Sequence, residues 1–460
     1  MKFHMYHKII SFHMSKNISR LGRSCLTFLL TFSSSVFTMA QIQESPASKI
    51  WTLRECTDYA IEHNVGILES KLDVDNAQTD ILAAKAARLP SVSASVGQGV
   101  SGNWFNNSSS HKNSYSGNYG VSAGWTIYNG GNINRNIEQK ENALKIQNLN
   151  LERNTLDLKL KIAQLYVQVL YDKENIKMKE ENAKVSKMLW ERGTEFMKAG
   201  SMSKADVAKL ESQHASDLYQ ITAAMSQYDN DLLALKSAMR MQRMSVEITT
   251  PEISEANILE IIPSRDEVFQ KALANRPEIE ISNINISNSQ LALESARMGY
   301  APRLSLSASS GTNNMSGSST AFGKQLKTNW SNSLGLNLSI PIYSQRQNRS
   351  AVEKARNDIE FYKMEAEEAE DNLYTTVENA YLSARNSQQQ YISAKKAYES
   401  AKLSYSLAVE QFNLGMKNRA EMEQEKSTFL AAEQSLAQSK YMAVYNIQAL
   451  RFYTGQEITI

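Results

Sequence analysis

Two stretches of this chain are long, proline-free and helix-forming throughout. No proline occurs between Pro90 and Pro251, or after Pro341. Asn132 to Ala199 and Arg346 to Asn413 each read as one continuous helix. At 1.5 Å per residue each would run about 100 Å, and a helix of that length cannot fold into a globule. Gly193 is the weak point of the first, since a glycine in a helix interior costs ~1 kcal/mol, and a local break would fall there.

The second long stretch carries a seam. Leu373, Ala380, Ser387, Ala394, Ala401 and Ala408 recur every seven residues, and Val377, Ala384, Tyr391, Tyr398, Tyr405 and Phe412 form a companion series. Met422, Phe429, Leu436, Ala443 and Leu450 continue the spacing after the glycine at 415. Sustained sevens specify helices wound around neighbours. Small residues opposite aromatic ones allow those helices to approach closely.

The chain is also duplicated. Pro90 and Pro302 lie 212 residues apart, and Ala60 falls on Ala272 at the same offset. Further on the offset is 215, where Tyr128 falls on Tyr343, Tyr166 on Tyr381, Gly200 on Gly415, Asp206 on Glu421 and Leu235 on Leu450. Each half follows one plan: helix, proline, strand, polar tip, strand, very long helix, glycine, second long helix. The domain reading is a leader at 1–40, a first repeat at 41–250, a linker at 251–263 and a second repeat at 264–460, with Ser245 to Pro263 as the wider region of mixed polarity.

Between helices the period changes to two. Val92, Ala94 and Val96 alternate with serines, and Tyr119, Val121, Ala123, Trp125 and Ile127 with small polar residues or glycine. Leu304, Leu306 and Ala308, and then Leu334, Leu336, Leu338 and Ile340, repeat the pattern. One face is apolar and the other is small and polar. Strands of about 10 residues cross a bilayer when tilted, and a small polar face suits a lumen. Trp104, Phe105, Trp125, Tyr128, Trp330 and Tyr343 lie near strand ends, where interface aromatics belong. By composition Asn106 to Ser110 and Gly311 to Ser319 are loops. Four strands cannot close a barrel, and in lipid each open edge leaves backbone groups unsatisfied. Assembly is therefore expected, and three chains give twelve strands. The fold class expected is mainly α with membrane β: a duplicated long-helix protomer of an α-barrel, plus four strands of a trimeric β-barrel.

The first 40 residues read as an export leader. Lys2, Lys8, Lys16, Arg20 and Arg23 precede the apolar Cys25 to Phe37, and Thr38-Met39-Ala40 resembles a cleavage site. Met14 is an alternative start. Removing those five basic residues leaves 45 Lys/Arg against 48 Asp/Glu, a net charge of -3. Cys56 then remains as the sole cysteine, so no intrachain disulfide is expected. No run after Ala40 is long and apolar enough for a spanning helix, which needs ~20 residues.

Strand pairs joined to paired long helices, twice over, resemble the TolC family of outer-membrane efflux proteins. The resemblance covers Trp51 to Gly455. Its most specific motif is the helix-turn-helix tip, present as Phe196-Met197-Lys198-Ala199-Gly200-Ser201-Met202-Ser203-Lys204-Ala205-Asp206 and Gln411-Phe412-Asn413-Leu414-Gly415-Met416-Lys417-Asn418-Arg419-Ala420-Glu421. Glycine suits a left-handed helix stop. Ser203-x-x-Asp206 and Asn418-x-x-Glu421 read as capping boxes. The resemblance implies a tunnel-entrance gate at Asp206, Phe412, Lys417, Glu421 and Gln424, and adaptor-docking tips at Gly200, Ser201, Gly415 and Met416. Where the family commonly has a tyrosine reaching the first-half acid, this chain has Phe412. Where a second entrance acid is expected, it has Gln424. Lys417 keeps the basic position, and Glu421 would give an anionic ring in a trimer.

The resemblance also implies an exit duct of a tripartite efflux or type I secretion system, in the outer membrane with its helices in the periplasm. Expected partners are two further copies, a periplasmic adaptor, an inner-membrane transporter and outer-membrane lipid. No basic stripe suggests nucleic acid. Gly97-Gln98-Gly99-Val100-Ser101-Gly102 lacks the helix a dinucleotide site needs. His63, His111 and His214 have no second ligand at metal spacing and no nucleophile motif beside them. Met239, Met241 and Met244 suit a soft metal or a core. No catalytic, metal or cofactor site is expected. The competing reading is a soluble periplasmic coiled-coil structural or adaptor protein.

Overall fold

The computed structural model describes residues 50–102, 114–318, 320–414 and 416–459. The leader at 1–40, His111 and the tip at Asn106 to Ser110, with Trp104 and Phe105, lie outside the described residues. No helix among the described residues is long and apolar enough to cross a membrane.

The first half starts with β1 (Ile50–Trp51), α1 (Leu53–His63) and α2 (Val65–Ala86). It continues through β2 (Ser91–Ser101), β3 (Ser114–Tyr128), α3 (Asn132–Lys198) and α4 (Lys204–Ala238). A crossover with β4 (Glu247–Ile248) and α5 (Glu255–Ile258) leads to α6 (Arg265–Asn275) and α7 (Pro277–Arg297). The second half then runs β5 (Arg303–Met315), α8 (Phe322–Thr328), β6 (Ser331–Ser339), α9 (Gln347–Asn413) and α10 (Arg419–Phe452).

The long helices α3 and α9 each span 67 residues without a break. Gly193 therefore does not interrupt α3. It is buried, and a Cβ placed there would lie 2.5 Å from Leu210 Cδ1 and 3.2 Å from Met202 Sδ. The missing side chain lets the start of α4 press against α3, so this glycine serves packing and not bending.

Duplication is visible in the first turn of each half. Thr52 caps α1 by accepting from the Glu55 amide at 3.3 Å, and Glu55 Oε2 accepts from the Thr52 amide at 3.0 Å. Ser264 caps α6 by accepting from the Glu267 amide at 3.3 Å. Each cap satisfies a donor that the helix leaves orphaned. Two matching cores follow. In the first, Cys56 and Ala60 of α1 pack with Ile162, Tyr166, Val169 and Leu170 of α3 and Leu235 of α4. In the second, Val268 and Ala272 of α6 pack with Leu373, Val377 and Ala384 of α9 and Ile447 and Leu450 of α10. Tyr166 donates to the Thr249 carbonyl at 2.8 Å, tying α3 to the crossover. β1 pairs in parallel with β4 beside it.

Met239 and Met241 are fully buried in the first core, and Met244 packs against it. The methionine group thus fills apolar space, which its flexible thioethers do well.

The heptad seam lies where its spacing puts it. Leu373, Val377, Ala384, Ser387, Tyr391, Ala394, Ala401 and Ala408 are the buried face of α9. Phe429 of α10 stacks on Tyr405, with ring centroids 5.5 Å apart, and meets Tyr398 at 5.7 Å. α3 packs along α4 and α9 along α10, and α10 also meets α3.

The four-stranded sheet has the order β2-β3-β5-β6, all antiparallel. Register keeps the apolar residues on one face: Val92 opposes Ala123, Ala123 opposes Ala308, and Ala308 opposes Leu334. That face is bare, with Val96 74% and Leu334 77% exposed. β5 extends to Met315, so Gly311 to Met315 is strand and not loop. Gly311 lies across from Gly120, where a Cβ would meet the Tyr119 carbonyl at 2.8 Å. The glycine permits close approach of two backbones, a pairing that composition alone misreads as a turn. Beyond the expected loop, and before β6, the chain forms α8, an element that the composition did not announce.

Candidate functional site

The tips between α3 and α4 and between α9 and α10 are built alike. At the first, Gly200 has a φ of +76°. Its amide donates to the Met197 carbonyl at 3.0 Å, and the Ser201 amide donates to the Phe196 carbonyl at 2.9 Å. These two bonds form a Schellman stop. At the second, the Met416 amide donates to the Gln411 carbonyl at 2.9 Å, the same bond displaced by 215 residues. Gly415 itself lies outside the described residues.

Each tip re-enters a helix through a polar cap. The Ser203 hydroxyl oxygen accepts from the Asp206 amide at 3.1 Å, and the Asn418 side chain accepts from the Glu421 amide at 3.0 Å. Neither is the reciprocal box expected. Asp206 Oδ2 accepts from the Ser203 hydroxyl at 2.7 Å, and a carboxylate that short does not turn back to the backbone.

The structure brings Asp206 and the second tip together through a residue that the sequence did not single out. Arg419 Nη1 donates to the Asp206 backbone carbonyl at 3.0 Å. Its signal was weak: one arginine at the first helical position after Asn418, with nothing in the spacing to name a partner 213 residues away. Phe412 is half-buried and carries no polar atom for Asp206. Lys417 Nζ stands 3.7 Å from Glu425 Oε1, a pair internal to the second tip. Glu421 and Gln424 are exposed, as are Ser201 and Met416. Lys426, one turn into α10 from Met422, is buried, and its ammonium has no hydrogen-bond partner among the described residues.

A second polar feature lies in the α3–α4 pair. Asp172 of α3 is buried and faces Asp231 of α4. Gln168 Nε2 donates to Asp172 Oδ1 at 3.2 Å, and Gln227 Nε2 donates to Asp231 Oδ2 at 2.9 Å. Burial, then the hydrogen bond and negative charge of Asp231, push the Asp172 carboxyl up to about 7. A carboxylate beside a buried carboxyl disfavours its charged form, so Asp172 keeps its proton towards neutral pH. Close by, the Tyr441 hydroxyl donates to Glu174 Oε2 at 2.6 Å, and Lys440 Nζ stands 3.6 Å from the same oxygen. Burial raises Glu433 in the groove between α3 and α10, with Glu181 adding to it.

The histidines serve helix faces. His63 stacks on Tyr59 at 3.9 Å, and His214 Nδ1 lies 3.2 Å from the Ser186 hydroxyl. Among the described residues no group of three or more His, Cys, Asp or Glu could hold a metal ion.

With a Schellman stop at the first tip and its matching bond at the second, duplicated cores and a bare four-stranded sheet in view, the family match is decisive. The model of outer membrane efflux proteins matches residues 57–239 and again 268–456. The chain belongs to the outer membrane efflux protein family. Solved structures of similar fold include the outer membrane channel CmeC of Campylobacter jejuni, at 17% identity over 89% of this chain and 87% of that one, with a TM-score of 0.70. CusC is similar at 15% identity over 91% and 95%, with a TM-score of 0.72. The open state of MtrE from Neisseria gonorrhoeae is similar at 16% identity over 88% and 89%, with a TM-score of 0.70. No curated protein matched the chain.

This outer membrane efflux protein is thus a TolC-like channel chain, an exit duct of tripartite efflux from the outer membrane with its helices on the periplasmic side. The family is one of channels and not of enzymes.

Proposed function

We propose that three copies of this efflux protein close into a twelve-stranded barrel continued by a helical tunnel, and that the two tips form the tunnel mouth. The observation that carries this reading is the unclosed sheet. β2 and β6 are edge strands, and the apolar face shared by Val92, Leu336 and Leu338 is uncovered. β2 and β6 run in opposite directions, so β6 of one copy meets β2 of the next antiparallel, as the other three pairings do. Closure satisfies every edge group that lipid would otherwise strand. A soluble periplasmic coiled coil has no use for such a face.

At the mouth, Asp206 and Glu421 would each recur three times. Arg419 latches one tip to the other within a copy, a role that replaces the tyrosine-to-acid link absent at Phe412. Ser201 and Met416, exposed at the turns beside Gly200 and Gly415, suit docking of a periplasmic adaptor, which in turn would bring an inner-membrane transporter. The test is the mature protein purified in detergent. An SDS-resistant trimer that conducts in planar bilayers is the expected result. A water-soluble monomer would reject the proposal.

A further inference from the structure

The loop at the far end of the barrel strands is folded, and its fold gives it a direction. α8 lies between β5 and β6, at the opposite end of the sheet from α7 and α9. It is pinned onto β5. The Thr312 hydroxyl donates to the Leu326 carbonyl at 2.8 Å, and Gln325 Oε1 accepts from the Met315 amide at 2.9 Å. Gln325 Nε2 donates to the Thr320 carbonyl at 2.7 Å, and Asn329 Nδ2 to the Asn313 carbonyl at 2.9 Å. Strand alternation puts Thr312 and Asn314 on the face that carries Leu304, Leu306 and Ala308. α8 therefore sits over the outer end of the apolar, lipid-directed face and not over the lumen. It buries Gln325, while Asn314 is buried in the same neighbourhood.

What α8 leaves exposed is two lysines and aromatic surface. Lys324 and Lys327 point away from the sheet contacts, and Phe322 and Trp330 flank them, both more than half exposed. No acidic residue of this segment offsets them. No Asp or Glu occurs from 295 to 352; Lys324 and Lys327 are the charged residues of α8, while Arg297, Arg303, Arg346 and Arg349 belong to the other end of the sheet. Neither lysine is in an ion pair with a neighbouring side chain of the described residues, since no carboxylate is near in this segment. A cationic pair beside exposed aromatics, held just above an apolar band, complements a phosphorylated lipid headgroup.

We infer that residues 321–330 dock phosphorylated lipid headgroups of the outer leaflet, with Lys324 and Lys327 as the phosphate contacts and Phe322 and Trp330 seated at the acyl boundary. The inference rests on the membrane-channel reading above, which puts this end of the sheet at the cell surface.

The test uses the full trimer in nanodiscs of phosphatidylcholine, with and without a minor fraction of diphosphoryl lipid A, and counts lipid A retained per trimer by native mass spectrometry. Wild type is expected to retain lipid A over phosphatidylcholine. K324Q and K327Q are each expected to weaken retention about fivefold, and the double variant about 30-fold, from the usual contribution of a lysine near an anionic surface. The charge-keeping K324R/K327R double variant is expected to stay near wild type. Inorganic phosphate at matching concentration is expected not to compete. Equal retention by K324Q/K327Q and wild type, or displacement by inorganic phosphate alone, would overturn the docking role. Assembly and conductance are measured on the same samples. A normal conducting trimer with unaltered lipid retention sinks only this inference, whereas loss of any trimer in wild type sinks the channel reading along with it.

Discussion

The strands expose Val96, Leu334 and Leu336 at 66–77%, while the helix seam buries Val377, Ala384 and Ala408 to 1% or less. The two regions also divide the charge. No acidic residue falls within 81–137 or 295–352, which hold all four barrel strands, so all 48 acids of the chain lie elsewhere, mostly on the helices. The difference is one of solvent. A helix pair satisfies its backbone internally and needs a neighbour only to cover one stripe. A sheet in lipid needs both an apolar exterior and a closed ladder. On the proposed channel reading, the helical region can hold its charges because its outer faces meet water, and the sheet excludes carboxylates because one of its faces meets lipid.

That contrast breaks most sharply at Leu336, midway along β6. Leu336→Arg is expected to cost about 2–4 kcal/mol in each copy at the bilayer midplane, abolishing the SDS-resistant trimer, as gel mobility of unheated samples would report. Ser307→Arg, on the opposite face of the paired strand, is expected to leave assembly intact and change conductance. If both variants assemble alike, the apolar face does not meet lipid.

In the helical region the largest effect is expected from packing. Leu450→Ala removes a side chain that is 1% exposed in the second core, and about 2–5 kcal/mol of stability should go with it. Thermal unfolding followed by circular dichroism measures this. An unchanged midpoint would mean that the second core is looser than its burial indicates.

A smaller effect, with a pH signature, belongs to Asp172. Its carboxyl is raised to about 7 in the folded chain from an ordinary value of 3.8. An acid raised by folding binds its proton more tightly when folded, so the fold carries no penalty below about pH 4. Stability is lost as pH rises from there through 7, and the loss is complete above. Asp172→Asn should therefore raise the unfolding midpoint at pH 8 and leave it unchanged at pH 4. A shift of equal size at both values would show that the substitution acts through packing and not through the Asp172 proton.

The smallest change in stability is expected at the mouth. Glu421→Ala removes an exposed carboxylate whose backbone amide, and not its side chain, engages the cap. Stability should move by no more than about 0.5 kcal/mol, while cation selectivity in planar bilayers falls. Unaltered selectivity would remove the anionic ring from the account of the gate.

Periodicity told most of the architecture in advance. The sevens of α9 named the residues that are buried, the twos of β2, β3, β5 and β6 named a common apolar face, and the offset of 215 paired Leu235 with Leu450, each at the centre of its core. These signals are local in sequence and survive because helix and strand geometry repeat. Gly311 and Gly193 were misread for the opposite reason. A glycine that lets two backbones or helices approach looks the same in sequence as one that ends an element, and only its neighbour, Tyr119 in one case and Leu210 in the other, tells them apart.

The sequence by itself determined the long helices, their winding seam, the duplication and the alternation of the strands, because each is written in the spacing of residues along one segment. Tertiary structure alone decided that Arg419 would reach Asp206, that Asp172 would meet Asp231, and that α8 would fold down onto the apolar face of β5. Those are meetings of side chains distant along the chain, set by how whole elements stack, and no period within either segment encodes its partner.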